Sequence, residues 1–146
     1  MYEVRFHGRG GQGAVTAAAM LAAALLEEGK YAVSIPSFGF ERRGAPVVSF
    51  LRCSDREIRQ LTNIYTPDCL ICVDPTLAKT VDIFGGLKPG GTLVQATNKP
   101  LAEVALSPSV ATVGLCDAIG IALQIFSKPI TNTLMLGAFV YFFQPA

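Results

Sequence analysis

The opening stretch MYEVRFHGRGGQGAVTAAAMLAAALL constrains the fold more than any other part of the chain. Residues 2–6 alternate well enough for a short strand. The run GRGGQG, Gly8 to Gly13, matches G-x-G-x-x-G, and an alanine-rich apolar segment follows it. Strand, glycine turn and helix in that order begin a βαβ unit. There the glycines allow a tight turn and close backbone approach, and the helix N-terminus offers unpaired N–H groups to an anion.

The rest of the chain continues the alternation. A first helix is expected over 12–28, with Gly29 placed for a left-handed C-terminus. Strands are expected at 31–35, 46–53, 69–73, 92–96 and 110–113, and helices at 75–84, 117–126 and 132–143. Asp74 and Asn132 sit where caps of two of these helices would be. Ser54-Asp55 reads as a turn into a short return strand ending at Ile58, which would add an antiparallel pair. A chain of 146 residues is one domain. The expected fold is therefore α/β, a single Rossmann-like three-layer domain over 1–146 with a mostly parallel, mixed sheet.

The glycine turn invites a dinucleotide, but the ribose-binding requirement fails. An acidic residue is wanted about 20 positions on, at the end of the second strand. That strand reads YAVSIPS, without a carboxylate. Arg9 inside the turn and Gln12 at the helix start depart further from a nicotinamide or flavin site. Gly8, Arg9, Gly10, Gly11, Gln12 and Gly13 are candidates for holding some other anion; the alternative is a tight turn that binds nothing. The loop at 36–45, PSFGFERRGA, carries adjacent Arg42 and Arg43, whose forks suit phosphates or partner carboxylates. In a parallel arrangement both segments open on one sheet edge, so Arg9, Arg42 and Arg43 would converge on one anion. Alternatively, Glu41 pairs with an arginine and the loop contacts another subunit.

Catalytic groups are scarce. His7 is the only histidine, at the end of the first strand, and reads as a packing element. Cys69 and Cys72 lie in one expected strand at an odd separation, so their sulfurs point to opposite faces and cannot share an ion. All four cysteines read as reduced core residues. The formal charge of +1 gives no reason to expect nucleic acid. No apolar run reaches the roughly 18–20 residues of a membrane span. The opening does not read as a leader, and a cytoplasmic address is the expected default. Apolar residues make up 51% and charged residues 16%, which suggests a surface covered by other subunits.

Four blocks carry a resemblance: RFHGRGGQGAVTAA (5–18), FGFERRGAPVVSFLR (38–52), PDCLICVDPTL (67–77) and KPITNTLMLGA (128–138). Together they resemble the gamma subunit of 2-oxoacid:ferredoxin oxidoreductases, most nearly the pyruvate synthase type. The resemblance implies a cytoplasmic hetero-oligomer that converts a 2-oxoacid, coenzyme A and oxidised ferredoxin to acyl-CoA, carbon dioxide and reduced ferredoxin. It implies alpha, beta and delta subunits as partners, with thiamine diphosphate and iron–sulfur clusters held by them and ferredoxin met indirectly. This chain would be non-catalytic by itself, helping assembly and positioning coenzyme A as its possible ligand. It also implies a further helical segment past the last helix, which this sequence does not show. Two rival readings stay open: a purely structural docking subunit of the same complex, and a stand-alone nucleotide-binding oxidoreductase domain.

Overall fold

The computed structural model describes residues 1–36 and 44–142. Six strands form one sheet: β1 (Tyr2–Arg9), β2 (Tyr31–Pro36), β3 (Pro46–Ser54), β4 (Cys69–Cys72), β5 (Gly91–Ala96) and β6 (Val110–Cys116). Their order across the sheet is β2-β3-β1-β4-β5-β6. β1, β4, β5 and β6 run parallel, while β3 is antiparallel to both of its neighbours. The helices are α1 (Ala14–Glu27), α2 (Ala118–Phe126) and α3 (Asn132–Phe142). The expected α/β domain with a mixed sheet is what forms.

Helix α1 buries Ala14, Ala17, Ala18, Leu21, Ala22 and Leu25. That is an i, i+3, i+4, i+7 stripe, and its alanines let the helix lie close on the sheet. The stripe packs on Val4, Phe6, Leu51, Cys69, Ile71 and Val73, joined by Met135 and Phe139 of α3. Exposure of 0% for Val4 and Phe6 marks the centre of this core. The opposite sheet face is covered differently. Leu70, Cys72 and Leu93 meet Leu77, Ile83 and Leu87, and Ile35 and Phe50 meet Ile64. This third layer is built from irregular chain rather than helices.

Two buried arginines hold that layer in place. Arg5 of β1 donates to the carbonyls of Ile83 (3.0 Å) and Gly85 (2.6 Å). Arg52 of β3 donates to Glu3 Oε2 (2.9 Å) and to the carbonyls of Gln60, Thr62 and Asn63. Carbonyls that would otherwise require a helix or sheet partner are thus satisfied by side chains.

Several local expectations are corrected. The antiparallel pairing comes from β3 between β1 and β2. The expected return strand ending at Ile58 does not form, because both edges of β3 are already taken. The expected helix at 75–84 is a single 3₁₀ turn, Leu77–Lys79. Thr80 and Val81 are β-branched and poor helix formers. Asp82 Oδ1 accepts from Phe84 N–H, and Arg5 takes the Ile83 carbonyl. In α3, Asn132 is the first helical residue and not the cap. Thr131 takes that place, its carbonyl accepting from Met135 N–H at 3.0 Å. Strand β1 runs to Arg9, so the first two residues of the glycine motif are strand. Among the described residues no helix is long and apolar enough to cross a membrane.

Candidate functional site

β3 intervenes between β1 and β2, yet those two strands still point the same way. The turn after β1 and the loop after β2 therefore open on one sheet edge, as the sequence suggested. The contact is direct where it is described. Gly10 N–H donates to Ala45 O at 2.8 Å, and Gly44 N–H donates to Gly10 O at 3.1 Å. Arg42 and Arg43 lie outside the described residues, as does Glu41. This edge is also where the strand order reverses, between β1 and β4, the position at which open α/β sheets form a crevice.

Two glycines of the turn are required by geometry. A Cβ on Gly8 would stand 2.7 Å from Val73 Cγ2 and 3.3 Å from Ala14 Cβ. Only a hydrogen there lets α1 start against β4. Gly13 caps α1 in the left-handed region at φ +80°, and a Cβ on it would meet Asn132 Nδ2 at 2.5 Å. With glycine as the cap, no side chain closes the helix N-terminus, and the first turn holds no acidic residue. The amides of Gly11, Gly13, Ala14, Val15 and Thr16 have no acceptor among the described residues. They border a cavity of about 290 Å³ lined by Arg9, Gly10, Gly11, Gly13, Ala14, Val15, Thr16 and Val47. A second, of about 530 Å³, runs from the same turn towards Ile119 and the chain from Pro129 to Asn132. An N-terminus in this state attracts an anion through its dipole and its free donors together.

Arg9 and Gln12 are engaged within the protein. Arg9 Nε lies 3.3 Å from Asp74 Oδ2, Nη1 donates to Gly44 O at 3.1 Å and Nη2 to Thr76 Oγ1 at 3.4 Å. Gln12 Oε1 accepts from Arg9 N–H and its Nε2 donates to Asp74 Oδ2, both at 2.6 Å. On its other oxygen Asp74 accepts from the amide (2.7 Å) and hydroxyl (2.6 Å) of Thr76. Burial alone would raise the Asp74 pKa. The hydrogen bonds from Thr76 and Gln12, with the Arg9 charge, outweigh it and lower the pKa below the ordinary value. Sequence reading placed Asp74 only as a helix cap. Its position directly after β4, next to β1 at the reversal of strand order, was the available signal for more.

The remaining candidates settle as structural groups. His7 is 3% exposed, and its Nε2 accepts from Arg5 Nε at 2.9 Å. Burial and then the Arg5 charge push its pKa down to about 3, so it is a neutral packing residue. Cys69 packs among the residues facing α1 and Cys72 among those facing the irregular layer. The two sulfurs do point to opposite faces. Asp117 caps α2, its Oδ1 accepting from Gly120 N–H at 3.1 Å.

The geometry also argues against a nicotinamide. In a dinucleotide fold the second strand lies beside the first, bringing its acid to the ribose. Here β3 separates them, so β2 lies two strand spacings from β1, roughly 10 Å, instead of one.

Comparison with known proteins places this architecture. The pyruvate ferredoxin/flavodoxin oxidoreductase family model matches residues 3–145. The gamma subunit of the NADH-dependent phenylglyoxylate dehydrogenase of Aromatoleum evansii is 79% identical over 139 residues, covering 95% of this chain and 73% of that protein. The pyruvate/ketoisovalerate oxidoreductases common subunit gamma of Thermococcus kodakarensis is 54% identical, over 94% of this chain and 76% of that one. Among solved structures, the pyruvate oxidoreductase subunit PORC of Thermotoga maritima superposes with a TM-score of 0.81 at 39% identity, over 95% of this chain and 74% of that one. The chain belongs to the pyruvate ferredoxin/flavodoxin oxidoreductase family and is a gamma subunit of a multi-subunit 2-oxoacid oxidoreductase.

Proposed function

We propose that this subunit holds the phosphate end of coenzyme A while partner subunits carry out the 2-oxoacid chemistry. The observation that carries the reading is the uncapped N-terminus of α1. Among the described residues its amides have no acceptor, they line a cavity at the switch point of the sheet, and no acid stands at the end of β2 for a ribose. Arg42 and Arg43, on the loop whose end is hydrogen-bonded to the turn, supply further positive charge. Arg9 contributes less than its position suggested, since Asp74 already neutralises it. The alpha, beta and delta subunits, in a cytoplasmic complex, hold the thiamine diphosphate and iron–sulfur groups. The opposite facing of Cys69 and Cys72 is in keeping with that division. The 2-oxoacid is of the phenylglyoxylate type. Support for this is the 79% identity to the phenylglyoxylate enzyme's gamma subunit against 54% to a pyruvate/ketoisovalerate one.

Thr16 provides the test. It is exposed, the third residue of α1, and borders the smaller cavity. A carboxylate there favours the helix dipole by about 0.3–1 kcal/mol, yet repels phosphate. Thr16→Glu in the assembled complex is expected to raise the coenzyme A KM about tenfold, equivalent to about 1.4 kcal/mol. Thr16→Gln should leave it near wild type. Equal KM values for the two variants refute the ligand role. Loss of assembly with an unchanged KM in what remains favours the purely docking role. Comparing turnover with phenylglyoxylate and with pyruvate tests the substrate.

A further inference from the structure

Every contact made by the Asp74 carboxylate is to a donor. Oδ2 receives Gln12 Nε2–H and faces Arg9 Nε–H; Oδ1 receives the amide and the hydroxyl of Thr76. The side chain is also largely withdrawn from solvent, so water cannot replace a lost partner. On the far side of Gln12, its Oε1 accepts from Arg9 N–H. The glutamine is thereby polarised in one direction: its oxygen must face the strand end and its nitrogen must face Asp74. Reversing it would set Nε2–H against Arg9 N–H.

We propose that Asp74 is the positioning residue of the glycine turn, fixing Gln12 and Arg9 so that the amides after Gly10 converge on the phosphate of coenzyme A. The inference rests on the coenzyme A reading above and extends it to a residue that does not touch the ligand. Three elements meet in this one carboxylate: the end of β1 through Arg9, the start of α1 through Gln12, and the turn after β4 through Thr76. The Arg9 guanidinium extends the tie to the loop after β2, through Gly44 O. A two-oxygen acceptor is required here. An asparagine offers one acceptor and one donor face, so either Gln12 and Arg9 or the Thr76 amide would meet an N–H. A buried donor without an acceptor carries its full desolvation cost, and the turn would relax to recover it.

The hydrogen-bond polarity allows a rescue that a merely space-filling role would not. In the double variant Asp74→Asn with Gln12→Glu, the charge moves one side chain along. The new carboxylate accepts from Arg9 N–H and from the new amide, whose oxygen still accepts from Thr76. Of the donors around the carboxylate only Arg9 Nε–H is then left facing an N–H, and that guanidinium keeps its bonds to Gly44 O and Thr76 Oγ1.

The experiment uses the assembled oxidoreductase with coenzyme A varied at saturating 2-oxoacid. Asp74→Asn is expected to raise the coenzyme A KM about tenfold while kcat changes by less than about twofold, and the double variant to recover part of that loss. Thr16→Glu, measured in parallel, separates the two levels of inference. If Thr16→Glu raises KM and Asp74→Asn does not, the positioning role is overturned and the binding site stands. If neither does, coenzyme A is not held at the turn and both fall. Should Asp74→Asn fail to assemble, the double variant decides. Assembly with a KM within about threefold of wild type supports the positioning role; a KM raised about tenfold or more, or failure of both variants, overturns it in favour of a purely structural carboxylate.

Discussion

The acid sensitivity of this fold should be written largely in one residue. His7 is buried beneath the irregular layer, and its Nε2 accepts from Arg5 Nε. Protonation would remove that acceptor and set a second cation against the arginine. Burial and then Arg5 accordingly push its pKa from 6.5 down to about 3. In the unfolded chain the imidazole takes up a proton near its ordinary value, so between the two values the unfolded state binds more protons. Stability therefore rises with pH through that window. The contribution is fully present above the unfolded pKa and is lost as pH falls towards the folded one. The limiting slope is about 1.4 kcal/mol per pH unit. Integrated from about pH 6 to about pH 4, the loss is about 2.5 kcal/mol, a large fraction of a typical domain's stability. Urea unfolding as a function of pH measures it, with His7→Gln as the reference because Gln keeps an acceptor for Arg5 but does not titrate. The difference between wild type and variant should grow by about 2.5 kcal/mol over that interval. A difference that stays within about 0.5 kcal/mol would refute the assignment of a neutral buried histidine.

Other substitutions test the remaining supports. Arg52→Met leaves Glu3 without its guanidinium and the carbonyls of Gln60, Thr62 and Asn63 without a donor. The expected cost is about 3–5 kcal/mol in chemical denaturation, with faster proteolysis near residue 61. Asp117→Ala removes the acceptor for Gly120 N–H at the start of α2 and should cost about 1 kcal/mol in the same assay. Burial pushes the Cys69 thiol up to about 12 and the Cys72 thiol up to about 11. Both should resist a thiolate-selective reagent at about pH 8 until the chain unfolds, so labelling should follow the unfolding rate.

Features set by local chemistry were legible in the sequence. The helical stripe of Ala14, Ala17, Ala18, Leu21, Ala22 and Leu25, the alternation of β1 and the odd spacing of Cys69 and Cys72 each map directly onto a face. The glycine turn was readable because Gly8 and Gly13 occupy places that no larger residue fits. What could not be read was whatever depends on partners distant in the chain. A sequence window cannot show that β3 enters between β1 and β2, or that the edge needed by a return strand is thereby taken. Nor does it show that Arg5, fastening carbonyls 78 and 80 positions away, and Arg52, fastening those of the segment just after β3, stand in for a layer of helices. At the site, Arg9 looked available for phosphate because Asp74, 65 residues later, is brought to it only by the pairing of β1 with β4. The 2-oxoacid was not legible in these residues.

Amide hydrogen exchange across residues 10–20 of the assembled complex, with and without coenzyme A, bears most directly on the role given to this subunit. Donors that have no internal acceptor exchange readily until a phosphate occupies them. Saturating coenzyme A should slow exchange at Gly11, Gly13, Ala14 and Val15 while leaving the buried middle of α1 unchanged. Unaltered exchange at those amides in a complex that is turning over coenzyme A would contradict the proposed site.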